Sequence, residues 1–275
     1  MTFAETTIVC SEQDNAGLNV RDRLLERFDF EKTDDTFDSS PVFSYKEKAL
    51  LVTSRSLIID VRTPLPSGVT RAIFVSRHVA ESGIPSLTAH FTGNFGPEAR
   101  FGGNPREIGR YSPSLLKMYF TSLNSRKEKL SGGFEVTLEA THHGPTSLPV
   151  PLLFVELGSD ESQWDNREAA GVIADSLIEA ISPPPKHFSK CGIGLGGTHY
   201  PEKLNRLLLE DPEAVVGVAI PKHSLEFVDA DLLRQALSKC DQKVGLAFID
   251  QKGLGKFKER VMSAVDEVGL ERVKI

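Results

Sequence analysis

"CGIGLGGTHYPEKLNRLLLE", Cys191 to Glu210, is the stretch that chooses between two architectures. Gly192, Gly194 and Gly197 spell G-x-G-x-x-G, the turn that holds a dinucleotide pyrophosphate at a helix N-terminus. That turn also needs a helix opening within it and an acid at the end of the next strand. Here Thr198-His199-Tyr200-Pro201 comes before the helix, and Pro201 suits its first turn. The next apolar run, "AVVGVAI", ends in Pro221-Lys222-His223 with no acid, while Asp211 and Glu213 lie at its other end. The dinucleotide reading therefore fails. What remains is a turn whose backbone can approach a ligand closely and offer N–H groups to an anion or oxyanion. Gly194, Gly196 and Gly197 form its predicted pocket wall, and His199 stands at its mouth.

Outward from this turn, short apolar runs alternate with helical patterns. "TTIVCS", "ALLVTS", "LIIDV", "AIFVS", "SLTAHF", "LLFVELG", "AVVGVAI" and "VGLAFID" read as strands, several apolar on both faces as strands covered by helices are. "FEVTLEAT" alternates instead, with Phe134, Val136, Leu138 and Ala140 on one face. Helices are predicted over Asn15 to Phe28, from Ser112 as N-cap with Pro113 at the first position, and along "GKFKERVMSAVDEVG". Another is predicted from Ser159 or Asp160 to the proline run Ser182–Lys186, which reads as a loop within one domain. The order predicts an α/β fold, three layers α/β/α with a mixed sheet, as a single domain over 1–275. Residues 93–111, rich in Gly, Asn and Arg, form its longest irregular loop. Loops of such length in a compact domain tend to be functional or mobile.

Composition narrows the classes. With 40% hydrophobic and 25% charged residues the 275-residue chain can bury an ordinary core. A net charge of −6 excludes a strongly basic nucleic-acid binder but not a local basic surface. Arg100, Arg106 and Arg110 form such a patch, or else a solvated face. Cys10, Cys191 and Cys240 are widely spaced and odd in number, which fits thiols in a reducing cytoplasm. The N-terminal "MTFAETTIVCS" lacks the pattern of a signal peptide, and no apolar run approaches the ~18 residues a bilayer requires.

Residues able to do chemistry gather at predicted strand ends: His78; His90 with Asn94; Glu139, His142, His143 and Thr146; Glu156 with Ser159; His199 with Tyr200. In open α/β sheets, ligands bind beyond the carboxyl ends of the strands, so these turns predict one polar cleft. His78, His187 and His223 read as surface histidines, and His90 reads equally as a buried histidine or a ligand. His142 and His143 can join one site only where their strand stops, and Gly144-Pro145 stops it. Glu139 shares a face with His143 if the strand stays regular. Histidines from several strand ends with Glu139 or Glu156 could hold zinc, which takes such donors and activates water. A histidine acting alone as general base is the metal-free alternative.

At these residues the chain resembles a known family. "IPSLTAHFTGNFG", "LEATHHGPTSLPVPLLFVELGSDESQW" and "GIGLGGTHYPEKL" are similar, in order, to three signature blocks of the archaeal and plant type of D-aminoacyl-tRNA deacylase. That family usually has a third glycine where this chain has Thr198. The resemblance implies hydrolysis of the ester between a D-amino acid and the 3′-terminal ribose of tRNA. It also implies zinc dependence and a phosphorylase/hydrolase-like fold. Among the residues of these blocks, His142, His143, His199 and Glu139 are the expected catalytic residues, with His142, His143, His199 and Glu156 as expected metal ligands. His90, Asn94, Thr146, Gly194, Gly196 and Gly197 are expected at the substrate, with Arg100, Arg106 and Arg110 on tRNA phosphates. A cytoplasmic monomer acting on D-aminoacyl-tRNA, without a membrane, is the expected setting. A zinc exopeptidase or amidohydrolase on the same framework, and a non-enzymatic RNA-end binding module, are the competing readings.

Overall fold

The computed structural model describes residues 4–61, 63–184 and 186–275. Part of the N-terminal reading and part of the proline run fall on Met1–Phe3 and Pro185, outside the described residues. The chain begins with β1 (Thr6–Ser11), α1 (Asn15–Arg27), β2 (Glu31–Phe37), β3 (Ser40–Tyr45), β4 (Ala49–Ser54) and β5 (Arg71–Arg77). It continues through β6 (Ser86–His90), β7 (Gly93–Asn94), β8 (Glu107–Ile108), α2 (Pro113–Arg126), β9 (Glu135–Leu138) and β10 (Leu152–Leu157). Then come α3 (Glu161–Trp164), α4 (Arg167–Ile181), β11 (Lys190–Leu195), α5 (Glu202–Glu210) and β12 (Ala214–Ile220). It closes with α6 (Ala230–Lys239), β13 (Leu246–Ile249), α7 (Lys258–Glu267) and β14 (Glu271–Lys274).

The class is α/β with a mixed sheet. Eight strands run in the order β2-β3-β4-β1-β5-β10-β6-β9. β4, β1, β5 and β10 are mutually parallel, while β2 and β3 form an antiparallel hairpin at one edge. The parallel strands β1, β4 and β10 are buried along their whole length, which is why they read as apolar on both faces. β2 is mostly exposed and correspondingly polar. Four further strands, β12-β11-β13-β14, form a second, wholly parallel sheet. Residues 1–89, 118–136 and 152–184 make one compact unit, and 90–117, 137–151 and 185–275 make another.

Helix ends follow local chemistry. Asp14 caps α1, its side chain accepting from Gly17 N–H at 2.8 Å and from Arg77 N–H at 3.0 Å. Burial pushes the Asp14 carboxyl above its ordinary pKa against those hydrogen bonds. The single helix expected from Asp160 to the proline run is two. Asp160 caps α3, and the chain restarts with Asn166 accepting from Ala169 N–H to cap α4. Each short polar side chain offers the backbone an alternative to continuing the previous turn.

The opening glycines serve packing. A Cβ on Gly194, within β11, would lie 2.3 Å from Leu204 of α5, so the glycine lets the helix settle on the strand. Gly196 and Gly197 take φ of +96° and +87°, which lets the chain turn sharply out of β11 toward His199. Residues 93–111 are less irregular than expected, since β7 and β8 pair antiparallel at their base.

Candidate active site

Main-chain hydrogen bonds assemble the site within the second unit. β9 ends at Leu138, short of the expected strand, because residues 140–143 find other partners. Ala140 N–H donates to the His199 carbonyl at 2.7 Å, and Thr141 N–H to the Ala219 carbonyl at 2.9 Å. His142 bridges to Thr92, and Gly93 N–H donates to the His143 carbonyl at 2.9 Å. Three stretches distant in sequence, around His90, His142 and His199, are thereby fixed together by backbone alone.

The imidazoles converge. Ring centroids lie 4.1 Å apart for His90 and His142, 4.8 Å for His90 and His143, 4.4 Å for His142 and His143, and 4.9 Å for His142 and His199. Three of the rings are oriented by main-chain carbonyls. Nδ1 of His90 lies 3.0 Å from the Phe91 oxygen, that of His142 lies 2.8 Å from Ala140, and that of His143 lies 2.7 Å from Gly144. A carbonyl only accepts, so each Nδ1 carries a proton toward it and the ring is held in one orientation. His143 holds this orientation with φ of +41°, a left-handed backbone uncommon outside glycine.

Glu139 is buried against two of these rings. Its Oε2 lies 2.8 Å from His199 Nε2 and 3.8 Å from His142 Nε2. Glu139 was expected to share a strand face with His143, but the strand ends at Leu138, and the Glu139 carboxylate faces His199 and His142. Among the described residues of this unit, two triads have donor atoms close enough to share a metal ion: His90, His142 and His143, and Glu139, His142 and His199. The expected ligands His143 and His199 thus fall into different triads, joined through His142.

Glu156, the fourth expected ligand, belongs to the first unit and is engaged there. His78 Nδ1 lies 3.0 Å from its Oε2, and Ser76 Oγ donates to its Oε1 at 2.9 Å. His78 is buried rather than at the surface as its exposed-looking sequence context suggested, and Trp164 Nε1 donates to its carbonyl. The carboxylate partner lies on the neighbouring strand β10, which local sequence cannot reveal.

The imidazoles open into a cavity of about 510 Å³, with Asn94, Phe95, Phe101, His142, His143, His199, His223 and Phe227 among its walls. His223, read as a surface residue, is exposed yet lines this cavity. It follows the end of β12, so the strand-end rule that selected the others also applied to it. Partial burial lowers its pKa, and the nearby His199 and Lys222 charges lower it further. Gly196 and Gly197 line a separate cavity of about 220 Å³ beside Lys203 and Asp250. Gly196 N–H is already donated to the Ile220 carbonyl, and Gly194 lies within the sheet. The glycine turn therefore aims His199 instead of walling the imidazole cavity.

The remaining expected residues hold the loop. Asn94 Nδ2 donates to the carbonyls of Gly102 and Asn104, so its amide is committed there. Thr146 is buried, accepts from Asn104 N–H and donates to Glu107. Arg100 pairs with Glu98, and Arg106 with Asp229, each at 2.8 Å, while Arg110 is exposed.

Comparison with known proteins gives this geometry a family. Residues 66–273 match the model of the family described as D-aminoacyl-tRNA deacylase. The chain is 33% identical over 276 residues to the D-aminoacyl-tRNA deacylase of Pyrococcus horikoshii, covering 97% of this chain and 98% of the relative. It is 33% identical over 287 residues to that of Methanosarcina mazei, covering 98% and 92%. A crystal structure of a conserved protein of unknown function superposes with a TM-score of 0.87 at 29% identity, covering 100% of this chain and 96% of that one. The chain belongs to the D-aminoacyl-tRNA deacylase family.

Proposed function

We propose that this chain hydrolyses the ester joining a D-amino acid to the 3′-terminal ribose of tRNA, releasing both. Family membership supports the reaction. The observation that carries the site assignment is the convergence of four imidazoles and one buried carboxylate at an open cavity. His90, His142 and His143 fit a divalent transition metal, because one donor nitrogen of each lies within 4.8 Å of the others and zinc favours such nitrogens. Bound there, zinc would supply Lewis-acid polarisation and ease the ionisation of water. Glu139 and His199 are the chain's own acid–base pair. The carboxylate holds the His199 Nε2–H, which leaves Nδ1 to take a proton from an attacking water and return it to the leaving ribose oxygen. A cytoplasmic monomer is the proposed setting. No helix among the described residues is long and apolar enough to cross a membrane.

The test is release of free D-amino acid from charged tRNA, measured on one preparation before chelation, after chelation and after zinc is restored, with the metal content determined alongside. The expected result is hydrolysis that falls with the metal and returns with it. A zinc-loaded protein that leaves the ester intact overturns the hydrolase reading. Full activity in protein shown to be metal-free overturns the zinc assignment alone.

A further inference from the structure

The cavity beside the imidazoles is also lined by apolar residues that the chemistry above does not use. Phe95, Gly96, Pro97, Phe101 and Phe227 line it. Phe227 lies directly on Gly96, where a Cβ would come within 2.8 Å of its ring. Phe101 is different: it remains 67% exposed, at the mouth. Its backbone is nevertheless firmly held. The Phe101 carbonyl accepts Gly144 N–H at 3.0 Å, next to His143. Asn94 holds the carbonyls of Gly102 and Asn104, and Thr146 accepts Asn104 N–H at 2.9 Å. Gly102 and Gly103, at φ of +80° and +75°, permit the tight turn that follows the ring. An aromatic ring left in water on an anchored backbone is a stacking surface prepared before its ligand arrives.

We infer that Phe101, with Phe227 lining the same cavity, is a stacking subsite for the terminal adenine of the tRNA. The inference rests on the tRNA-ester reading above and names where the base goes. The ester places the amino acid on one side of the reacting carbonyl and the terminal nucleoside on the other. The amino acid ends the substrate and can lie inside, whereas the nucleic acid must leave through the mouth, where Phe101 stands. Single-stranded ends are held by stacking bases on aromatic side chains, an interaction open to every tRNA whatever its amino acid. Arg100 adjoins the ring, and its ion pair with Glu98 is exposed on both sides. Such a pair is weak, so the guanidinium is free to exchange its partner for a phosphate.

The test uses an uncharged acceptor-stem RNA carrying 2-aminopurine at its 3′ end, and the same stem charged with D-tyrosine or D-alanine. Stacking should quench the 2-aminopurine on the wild-type protein. Phe101→Ala should abolish the quench and raise KM on the order of tenfold with kcat little changed. Phe101→Tyr should keep both values, and the exposed ring makes the melting temperature of either variant that of the wild type. An undiminished quench and unchanged KM in Phe101→Ala would overturn the subsite. So would a KM effect that follows the amino acid and persists when the 3′ nucleotide is abasic, since the ring would then hold the amino-acid side chain. Because the quench is read on uncharged RNA, it decides the subsite even if no ester is cleaved. Failure of the wild type to cleave would count against the hydrolase reading only.

Discussion

His143 accepts a left-handed backbone that costs a non-glycine residue on the order of 1 kcal/mol. His143→Gly separates conformation from chemistry at this position. It relieves the strain and deletes the imidazole, so its melting temperature should stay near wild type while single-turnover hydrolysis falls about 10²-fold or more. A stable variant with near-normal rate would return His143 to a structural role. His142→Ala and His199→Ala should show the same division between rate and melting temperature. Glu107 supplies a pH-dependent counterpart. Burial opposes its charge, yet hydrogen bonds from Thr146, Asn104 and Lys239 outweigh it and hold the carboxyl below its ordinary 4.5. A lowered folded pKa gives stability that is present above the unfolded value and lost as pH falls through the folded one. Glu107→Gln should therefore melt below wild type at neutral pH, and the two melting curves should converge as the wild-type carboxyl protonates. A gap that persists in acid would show that the charge is not what anchors the loop.

Among the elements, β11 and α5 meet at one pair. Gly194→Ala would put a methyl group into Leu204, at a cost of about 1–3 kcal/mol. Leu204→Ala removes the clash as well as some packing, so the double variant should be more stable than the sum of the single changes predicts. Denaturant melts of all four proteins measure this coupling, and strict additivity would show that the glycine is not there for the helix. The parallel strands were legible because full burial leaves apolar runs, and α2 because Ser112 and Pro113 mark its start. The early end of β9 was not, because its competitors are carbonyls of His199 and Ala219, far away in sequence. For the same reason the strand end expected at Gly144-Pro145 falls earlier, at Leu138, and the partner of Glu139 could not be named. The glycine cluster identified a close approach correctly, but local spacing cannot tell a ligand from Leu204.

Across the whole molecule, charge is the property that must be overcome. A net charge of −6 repels nucleic acid on average, so tRNA must be held by local cations. Replacing Arg100, Arg106 and Arg110 together with alanine should raise KM for charged tRNA. It should also make the logarithmic salt dependence shallower by roughly 0.7–0.9 for each phosphate that is no longer neutralised. Because Arg106 also pairs with Asp229, an Arg106→Ala single variant run alongside separates loop anchoring from phosphate binding. An unchanged salt slope in the triple variant would leave the patch a solvated face, the alternative its mixed sequence context had already offered.

The two compact units are each stitched from three separate segments, the first reaching residue 184 and the second residue 275. Neither corresponds to a length of chain that could be cut out as a gene fragment. During synthesis the first unit lacks its last segment until residue 184 has left the ribosome. The second waits for the final strand, although its first histidine emerged near the beginning. Domains commonly fold as they emerge. Here His90 and His142 must wait for His199, which comes from the unit's last segment. A chain cut before His199 would therefore lack the assembled centre.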